Sequence, residues 1–463
     1  MRNVDFKNYQ SPFSWRYATQ EMREIFSEEN KRKTWRQVWV ALAKTQKKQG
    51  LLTDEEFEQI EKHANSVDIE KAQKLEEEIK HDLVAELKTF ADQVGKAGGK
   101  LHLGATSQDI EDNADVIIFN KALNFVEKNL KDLLSNFAKK IEKNMDVVCM
   151  AYTHLQPAEP TTLGYRFSNY AQDFLMDLEL LEYVKKNLKG KGFKGAVGNS
   201  ASYYSLLGQK AKDFEKSIAS DLNIEFFDLS TQVYPRKQDF LVLSLLASIA
   251  QSLYRFAFDL RILQSPGFGE LLEPFGKKQV GSSAMPFKRN PIVSEKICSL
   301  ARYITALSRV SWDTAANSHL ERTLDDSASR RIIIPESFLA IDEMLNEAIK
   351  IVDGITVNTK KVEDNLEKYG LFSAIEPLLL SLTQKGANRQ KMHELFRNLS
   401  MEAYQEMEKS GKNPLFTLIK NDKEINRFLS PDEIEKALNL ENHFGMAKKK
   451  SEEMVAKIKE KIR

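Results

Sequence analysis

Three features of the 463-residue chain predict an all-α fold. Its 12 prolines and 20 glycines are few and clustered, leaving the long uninterrupted stretches that long helices need. Within those stretches apolar residues recur at steps of three and four, the period of one helix face. The breaks between them are polar loops, where binding and catalytic groups concentrate. The length suffices for two or three domains around a large core.

The first hundred residues read as a small helical domain. Ser11-Pro12-Phe13-Ser14-Trp15-Arg16-Tyr17 admits two readings: an arm packing Phe13 and Trp15, or an anion site using Arg16 and Tyr17 as donors. A helix is predicted over 28–50, with Trp35, Val38, Trp39, Leu42 and Ala43 on one core face, stopped by Gly50. A charged helix follows over Asp54–Ala64, and another from Asp68 to Val94 carries Lys80-His81-Asp82. Neighbours in sequence do not face each other on a helix, so spacing alone gives His81 no role.

Four glycines break the chain between Gly95 and Gly104. Thr106 and Ser107 then open the next helix, where hydroxyls and free N–H groups favour a carboxylate, or where Ser107 acts as a cap. From Val116 to Met145 one stripe runs through Phe119, Leu123, Val126, Leu130, Leu133, Phe137 and Ile141. Such a helix, about 45 Å long, predicts a long bundle and subunit association to cover its remaining apolar face.

Tyr152-Thr153-His154-Leu155-Gln156-Pro157 starts an irregular polar break. Among the seven histidines His154 suits acid–base work best, since it sits among hydroxyls and amides; capping a helix end is the alternative. The turn Lys189–Asn199 is rich in Lys and Gly but lacks a Gly-Lys-[Ser/Thr] ending, which excludes a Walker-type triphosphate loop. An apolar helix over 238–264 follows Gln232 and Arg236; its most apolar run, Phe240–Tyr254, is too short to span a bilayer and reads as core. Gly281-Ser282-Ser283-Ala284-Met285-Pro286-Phe287-Lys288-Arg289-Asn290-Pro291 cannot be an ordinary helix, because Pro286 and Pro291 each remove a donor and restrict the residue before. Its hydroxyls, ammonium, guanidinium and amide suit a substrate with carboxylates, and a serine there becomes a base if its pKa is lowered. Glu295 begins the next helix. In His319–Arg331, three arginines with a serine offer a phosphate site, while the three acids among them offer an ion-paired surface instead.

Lys+Arg 68 against Asp+Glu 67 implies no polyanion-binding field, hence no nucleic-acid partner. Cys149 and Cys298 cannot form a disulfide framework and are expected as buried thiols in a reducing compartment. Residues 1–5 lack the apolar core of a signal peptide. No His/Cys spacing suggests a metal. A soluble, cytoplasmic protein with no membrane partner is expected.

Gly281-Ser282-Ser283-x-Met285-Pro286-x-Lys288-x-Asn290 resembles the signature of the fumarase/aspartase superfamily, whose members eliminate fumarate from a substituted succinate. Thr153-His154-x-Gln156-Pro157-Ala158-x-Pro160-Thr161 and His102-x-Gly104-x-Thr106-Ser107 look like two further blocks of it. Arg16-Tyr17-Ala18, His81-Asp82-Leu83-x-Ala85 and Thr323-Leu324-Asp325-Asp326-Ser327-Ala328-x-Arg330-Arg331 are similar to the branch acting on succinylated purine nucleotides. The chain departs from that pattern at Asn199 (commonly Thr), Lys296 (often Arg) and His319-Leu320 (often aromatic).

The resemblance implies three helical domains, 1–104, 105–357 and 358–463, with a long central bundle, and a homotetramer with shared active sites. It implies β-elimination of fumarate from adenylosuccinate and from the succinyl-aminoimidazole-carboxamide ribotide of purine synthesis, without metal or organic cofactor. Carried over residue by residue, Ser282 is the general base and His154 the general acid, with Lys288, Glu295 and His81 in the catalytic set. His102, Thr106, Ser107, Thr153, Gln232 and Asn290 contact the substrate, and Arg16, Tyr17, Arg322, Ser327 and Arg331 hold its nucleotide part. Two other readings stay open: a fumarate-releasing lyase with another substrate, such as argininosuccinate, and a non-catalytic helical scaffold.

Overall fold

The computed structural model describes residues 7–440 and 443–463. The opening residues 1–5, read above for a leader, lie outside them. The described chain is helical, with three two-stranded pairings as its sheet structure. It divides into two compact units: Met1–Leu130, Asp177–Leu253 and Ser299–Asn346 form one, and Lys131–Met176, Tyr254–Cys298 and Glu347–Arg463 the other.

In the first unit the helix Glu28–Lys48 forms as the apolar period predicts, with Ser27 accepting from the Asn30 N–H as its cap. Its buried face, Trp35, Val38, Trp39 and Leu42, packs on Phe90, Ile110, Phe193, Tyr203 and Phe214. Beside this core, Glu86 takes Arg32 at 2.9 Å and Arg36 at 2.7 Å, all three side chains being buried. A second ionic knot ties the bundle. Arg236 pairs with Asp112 at 2.9 Å and Asp326 at 2.7 Å, while Arg330 pairs with Asp239 at 2.7 Å and Asp115 at 2.8 Å.

The single helix predicted from Asp68 to Val94 is in fact two, Ile69–Ile79 and Asp82–Val94. Lys80 enters the left-handed region (φ 57°) and His81 is extended (φ −147°), so the chain breaks at these two residues. With the helix gone, the rule separating adjacent side chains no longer applies, and His81 Nδ1 lies 3.7 Å from Asp82 Oδ1.

The long helix runs Ser107–Asn144, 38 residues or about 57 Å. Its predicted stripe, Phe119 to Ile141, is buried within the chain. The helix Lys237–Gln264 is, by length and composition, able to cross a membrane, contrary to the length argument drawn from Phe240–Tyr254 alone. It packs as core nonetheless: Val242, Leu243, Leu246, Ile249, Leu253, Phe256 and Leu260 are buried.

In the second unit Phe137 sits among Tyr170, Phe174 and Phe256 with ring centroids 5.3–6.5 Å away. A separate C-terminal cluster joins Leu378, Leu382, Phe396, Leu415, Ile425 and Ile434. Cys149 and Cys298 are buried free thiols, as expected; burial pushes the Cys149 thiol up to about 11.

Candidate active site

The stretch read as an irregular break around His154 is a β-hairpin. Val148–Thr153 pairs antiparallel with Gln156–Thr162, Thr153 facing Gln156, with a register shift between Met150 and Tyr152. Two residues, His154 (φ 54°) and Leu155 (φ 58°), make the turn. A two-residue hairpin turn of this twist needs positive φ at both positions, which normally selects Asn-Gly. His and Leu there cost roughly 1–2 kcal/mol each. Glu270 anchors the strand below, accepting from Tyr152 Oη at 2.9 Å, Arg166 Nη1 at 2.7 Å and Asn365 Nδ2 at 2.9 Å. The imidazole is thus presented on a strained tip over a fixed base, exposed, with no hydrogen-bond partner among the described residues.

The Ser282 loop belongs to the same unit. Its ends are closed by Asn290 Nδ2 donating to the Gly281 carbonyl at 2.9 Å and by Gln264 Nε2 donating to the Arg289 carbonyl at 3.0 Å. A Cβ on Gly281 would lie 2.0 Å from the Lys288 carbonyl oxygen, so only glycine fits this closure. Ser282 Oγ accepts from the backbone N–H of Ala284 at 3.3 Å and of Met285 at 3.0 Å. Two donors on one oxygen favour its charged form. Lys288 is exposed. Glu273 accepts from Ser294 N at 3.1 Å and Ser294 Oγ at 2.9 Å, fixing the start of helix Ile292–Ala316, in whose first turn Glu295 lies exposed. No hydrogen bond or ion pair joins any two of His154, Ser282, Lys288 and Glu295 among the described residues.

The other expected site residues lie in the first unit, and several meet. His81 Nε2 is 3.4 Å from Ser107 Oγ. Asp82 links the same place to the arginine block, its Oδ2 taking Arg331 Nη2 at 2.6 Å. Arg331 Nε donates to Ser327 Oγ at 3.4 Å, and Arg322 Nη1 donates to Gln232 Oε1 at 3.0 Å. Arg322, Ser327, Arg331 and Asp82 line one cavity of about 190 Å³. Arg16 is exposed and lies against the rings of Trp15 and Tyr17.

His102 adopts φ 65° and accepts the Trp39 indole N–H on Nδ1 at 3.0 Å. An indole nitrogen only donates, so His102 is neutral with its proton on Nε2. Burial lowers its pKa to about 4, against the pull of Asp109 and helped by His81. Thr106 precedes helix Ser107–Asn144, and its amide donates to Asp109 Oδ2 at 3.0 Å. Ser107 faces His81, as the carboxylate reading of that hydroxyl allows.

Sequence reasoning gave Asp109 no role, yet it organises this corner. Its carboxylate pairs with the fully buried Lys191 and accepts the amides of Lys194 and Gly195 at 3.2 Å each. Lys194 pairs with Glu215. The first half of the Lys/Gly turn, residues 190–195, is therefore a buried strut, while Ala196, Val197 and Asn199 are exposed. Asp82 and Glu111 were also missed. The helix break at Lys80 carries no strong sequence signal, and Glu111 gains meaning only from the cavity around it.

The comparisons agree with this architecture. A family model described as "Lyase" matches residues 14–305, and one described as "Adenylosuccinate lyase C-terminus" matches 372–454. The chain is 40% identical over 426 residues to adenylosuccinate lyase of Schistosoma mansoni, covering 90% of this chain and 88% of that one. It is 36% identical over 464 residues to adenylosuccinate lyase of Saccharomyces cerevisiae, covering 98% and 95%. In fold it is similar to a fumarate lyase from Mesorhizobium sp. BNC1 (TM-score 0.85, 22% identity, 97% of this chain and 99% of that one). It is also similar to the 3-carboxy-cis,cis-muconate lactonizing enzyme of Pseudomonas putida (TM-score 0.87, 23% identity, 98% and 100%). The fold is that of a lyase. The chain belongs to the adenylosuccinate lyase family of the fumarase/aspartase superfamily, a family of carbon–nitrogen lyases.

Proposed function

We propose that the enzyme cleaves adenylosuccinate to AMP and fumarate, and the succinyl-aminoimidazole-carboxamide ribotide to its carboxamide and fumarate. Ser282 takes the proton from the succinyl carbon beside a carboxylate. The carbanion's charge spreads into that carboxylate, which Lys288, Asn290, Thr106 and Ser107 stabilise. The C–N bond then breaks, its electron pair leaves on nitrogen, and His154 supplies the proton that makes the nitrogen a tolerable leaving group. Glu295 orients His154, and His81, His102, Thr153 and Gln232 position the substrate. Arg16, Tyr17, Arg322, Ser327 and Arg331 hold its nucleotide end.

The observation that carries this reading is the pair of backbone N–H donors on Ser282 Oγ, from Ala284 and Met285. A serine base is chemically awkward unless its alkoxide is stabilised, and two fixed donors do that even where no cation is in contact. The same loop leaves Lys288 exposed, available to the substrate.

We further propose a homotetramer, in which sites are completed between subunits. An exposed row on the helix Leu163–Lys186, Met176, Leu180 and Tyr183 at steps of four and three, supports a covered face there. The buried thiols Cys149 and Cys298 suit a cytoplasmic setting. Sedimentation reads the assembly directly.

The functional test is release of AMP and fumarate from adenylosuccinate by the purified protein, followed by Ser282→Ala and His154→Ala. Each substitution is expected to lower kcat by about 10²–10⁴-fold. Unchanged turnover in both variants overturns the mechanism, and fumarate from argininosuccinate alone overturns the substrate.

A further inference from the structure

The cavity holding Arg322, Ser327 and Arg331 also contains a carboxyl group with no cation of its own. Glu111 projects from the helix Ser107–Asn144, and its side-chain contact is Gln108 Nε2, which donates to Glu111 Oε2. From the helix Asp82–Val94, Asp82 faces it, already engaged by Arg331 at 2.6 Å. From its own helix, Asp115 is engaged by Arg330 at 2.8 Å and Asp112 by Arg236 at 2.9 Å. From the helix Asp325–Gly354, Arg331 is the cation whose charge reaches it, and Arg330 is committed to Asp239 and Asp115. Lys31 and Glu28 on the helix Glu28–Lys48 line the same cavity but pair with each other at 2.9 Å, and Arg322 completes the lining. Glu111 thus sits among three carboxylates, with one shared guanidinium, half-buried in the cavity wall.

A carboxylate in that setting is unfavourable, so the group keeps its proton. Burial first, then Asp82, Asp115 and Asp112, push Glu111 up to about 8, with Arg331 opposing. An anion arriving at Arg331 and Ser327 meets this side chain. A charged Glu111 repels it, while a protonated one offers it an O–H donor.

We propose that Glu111 is a further binding residue for the phosphate monoester end of the substrate, acting as a protonated hydrogen-bond donor rather than as a charged acid. This rests on the reading of Arg322, Ser327 and Arg331 as phosphate contacts. It makes nucleotide binding proton-linked at a residue that takes no part in bond breaking. Substrate then binds the protonated form, so binding is complete below the Glu111 pKa and weakens as pH rises through it.

The test measures kcat and KM for adenylosuccinate between pH 6.5 and 9.5 in the native enzyme, Glu111→Gln and Arg331→Ala. The native KM is expected to rise about tenfold from pH 7 to pH 9. Glu111→Gln, which keeps the shape and cannot ionise, is expected to flatten that rise, with kcat following the same pH course in both. A KM that climbs equally in Glu111→Gln overturns the inference. Arg331→Ala separates the two layers: an unaltered KM there overturns the phosphate reading itself, whereas a raised KM beside an unflattened Glu111→Gln profile overturns Glu111 alone. Calorimetry of AMP binding at pH 8.5 in two buffers of different ionisation enthalpy needs no variant. The native protein is expected to take up most of one proton per AMP bound. No uptake overturns the inference even if Glu111→Gln fails to fold.

Discussion

The two sets of site residues are held by different means. In the unit containing His81, Arg322 and Arg331, side chains hold side chains: His81 meets Ser107, Arg322 meets Gln232, and Arg331 meets Asp82. In the unit containing His154 and Ser282, backbone shape does the holding. His154 rides a left-handed turn, and Ser282 sits in a loop closed at Gly281 and met by main-chain N–H groups. The side chains proposed to bind the nucleotide are thus pre-formed in a polar network. The two proposed to exchange protons, His154 and Ser282, have no ionic partner among the described residues. Damage to the first region is expected to cost stability, and damage to the second to cost activity alone.

The largest effect sharpens the first half of that contrast. Asp109→Ala leaves the Lys191 ammonium buried and orphans the amides of Lys194 and Gly195. Breaking one side of a buried pair costs about 3–5 kcal/mol. All four tryptophans (15, 35, 39 and 312) fall in this unit, so their fluorescence during urea unfolding reads it out. An unfolding midpoint equal to that of the native protein would break the comparison.

Gly281→Ala probes the other half. Its Cβ, 2.0 Å from the Lys288 oxygen, must force the loop open and displace Ser282. A displacement of about 1 Å costs roughly a hundredfold in rate. The expected result is a kcat loss of that size with the melting temperature unchanged, because the loop is largely exposed. A lowered melting temperature would show that the loop also supports the fold.

His102 supplies a pH test of the side-chain network. Its pKa, about 4 when folded, lies below the ordinary 6.5. The unfolded chain therefore binds the extra proton first, and stability falls as pH drops from 6.5 towards 4. At pH 5 the loss is about 2 kcal/mol. His102→Asn keeps an acceptor for the Trp39 N–H and tolerates φ 65°, but cannot titrate. It is expected to hold its stability between pH 7 and pH 5 where the native protein loses it.

These contrasts also explain what could be read from the chain. The helix Glu28–Lys48 was legible because its own apolar period encodes it. The stripe from Phe119 to Ile141 was legible for the same reason, because helical spacing marks an apolar face and this one is buried. The order of the site blocks was legible because each is a local run. Asp109 was not, since its partners stand some eighty residues away and nothing near it signals them. The break at Lys80 was hidden because lysine is not a residue that announces a left-handed turn.

The His154 hairpin was hidden for a related reason, and it offers the smallest and most pointed test. A sequence reader looks for Asn-Gly, and finds His-Leu. Leu155 is 59% exposed, so its side chain gains little from packing, while its φ of 58° carries the left-handed penalty. Leu155→Gly removes that penalty, about 1–2 kcal/mol, and gives back part of it through the greater freedom of glycine in the unfolded chain. The net expectation is a gain of about 0.5–1 kcal/mol, seen as a later denaturation midpoint. If kcat falls in the same protein, the strained turn is what aims the imidazole, and stability has been exchanged for position. If kcat holds while stability rises, the strain serves no catalytic end, and the hairpin's backbone is a weaker determinant of the site than the Ser282 loop.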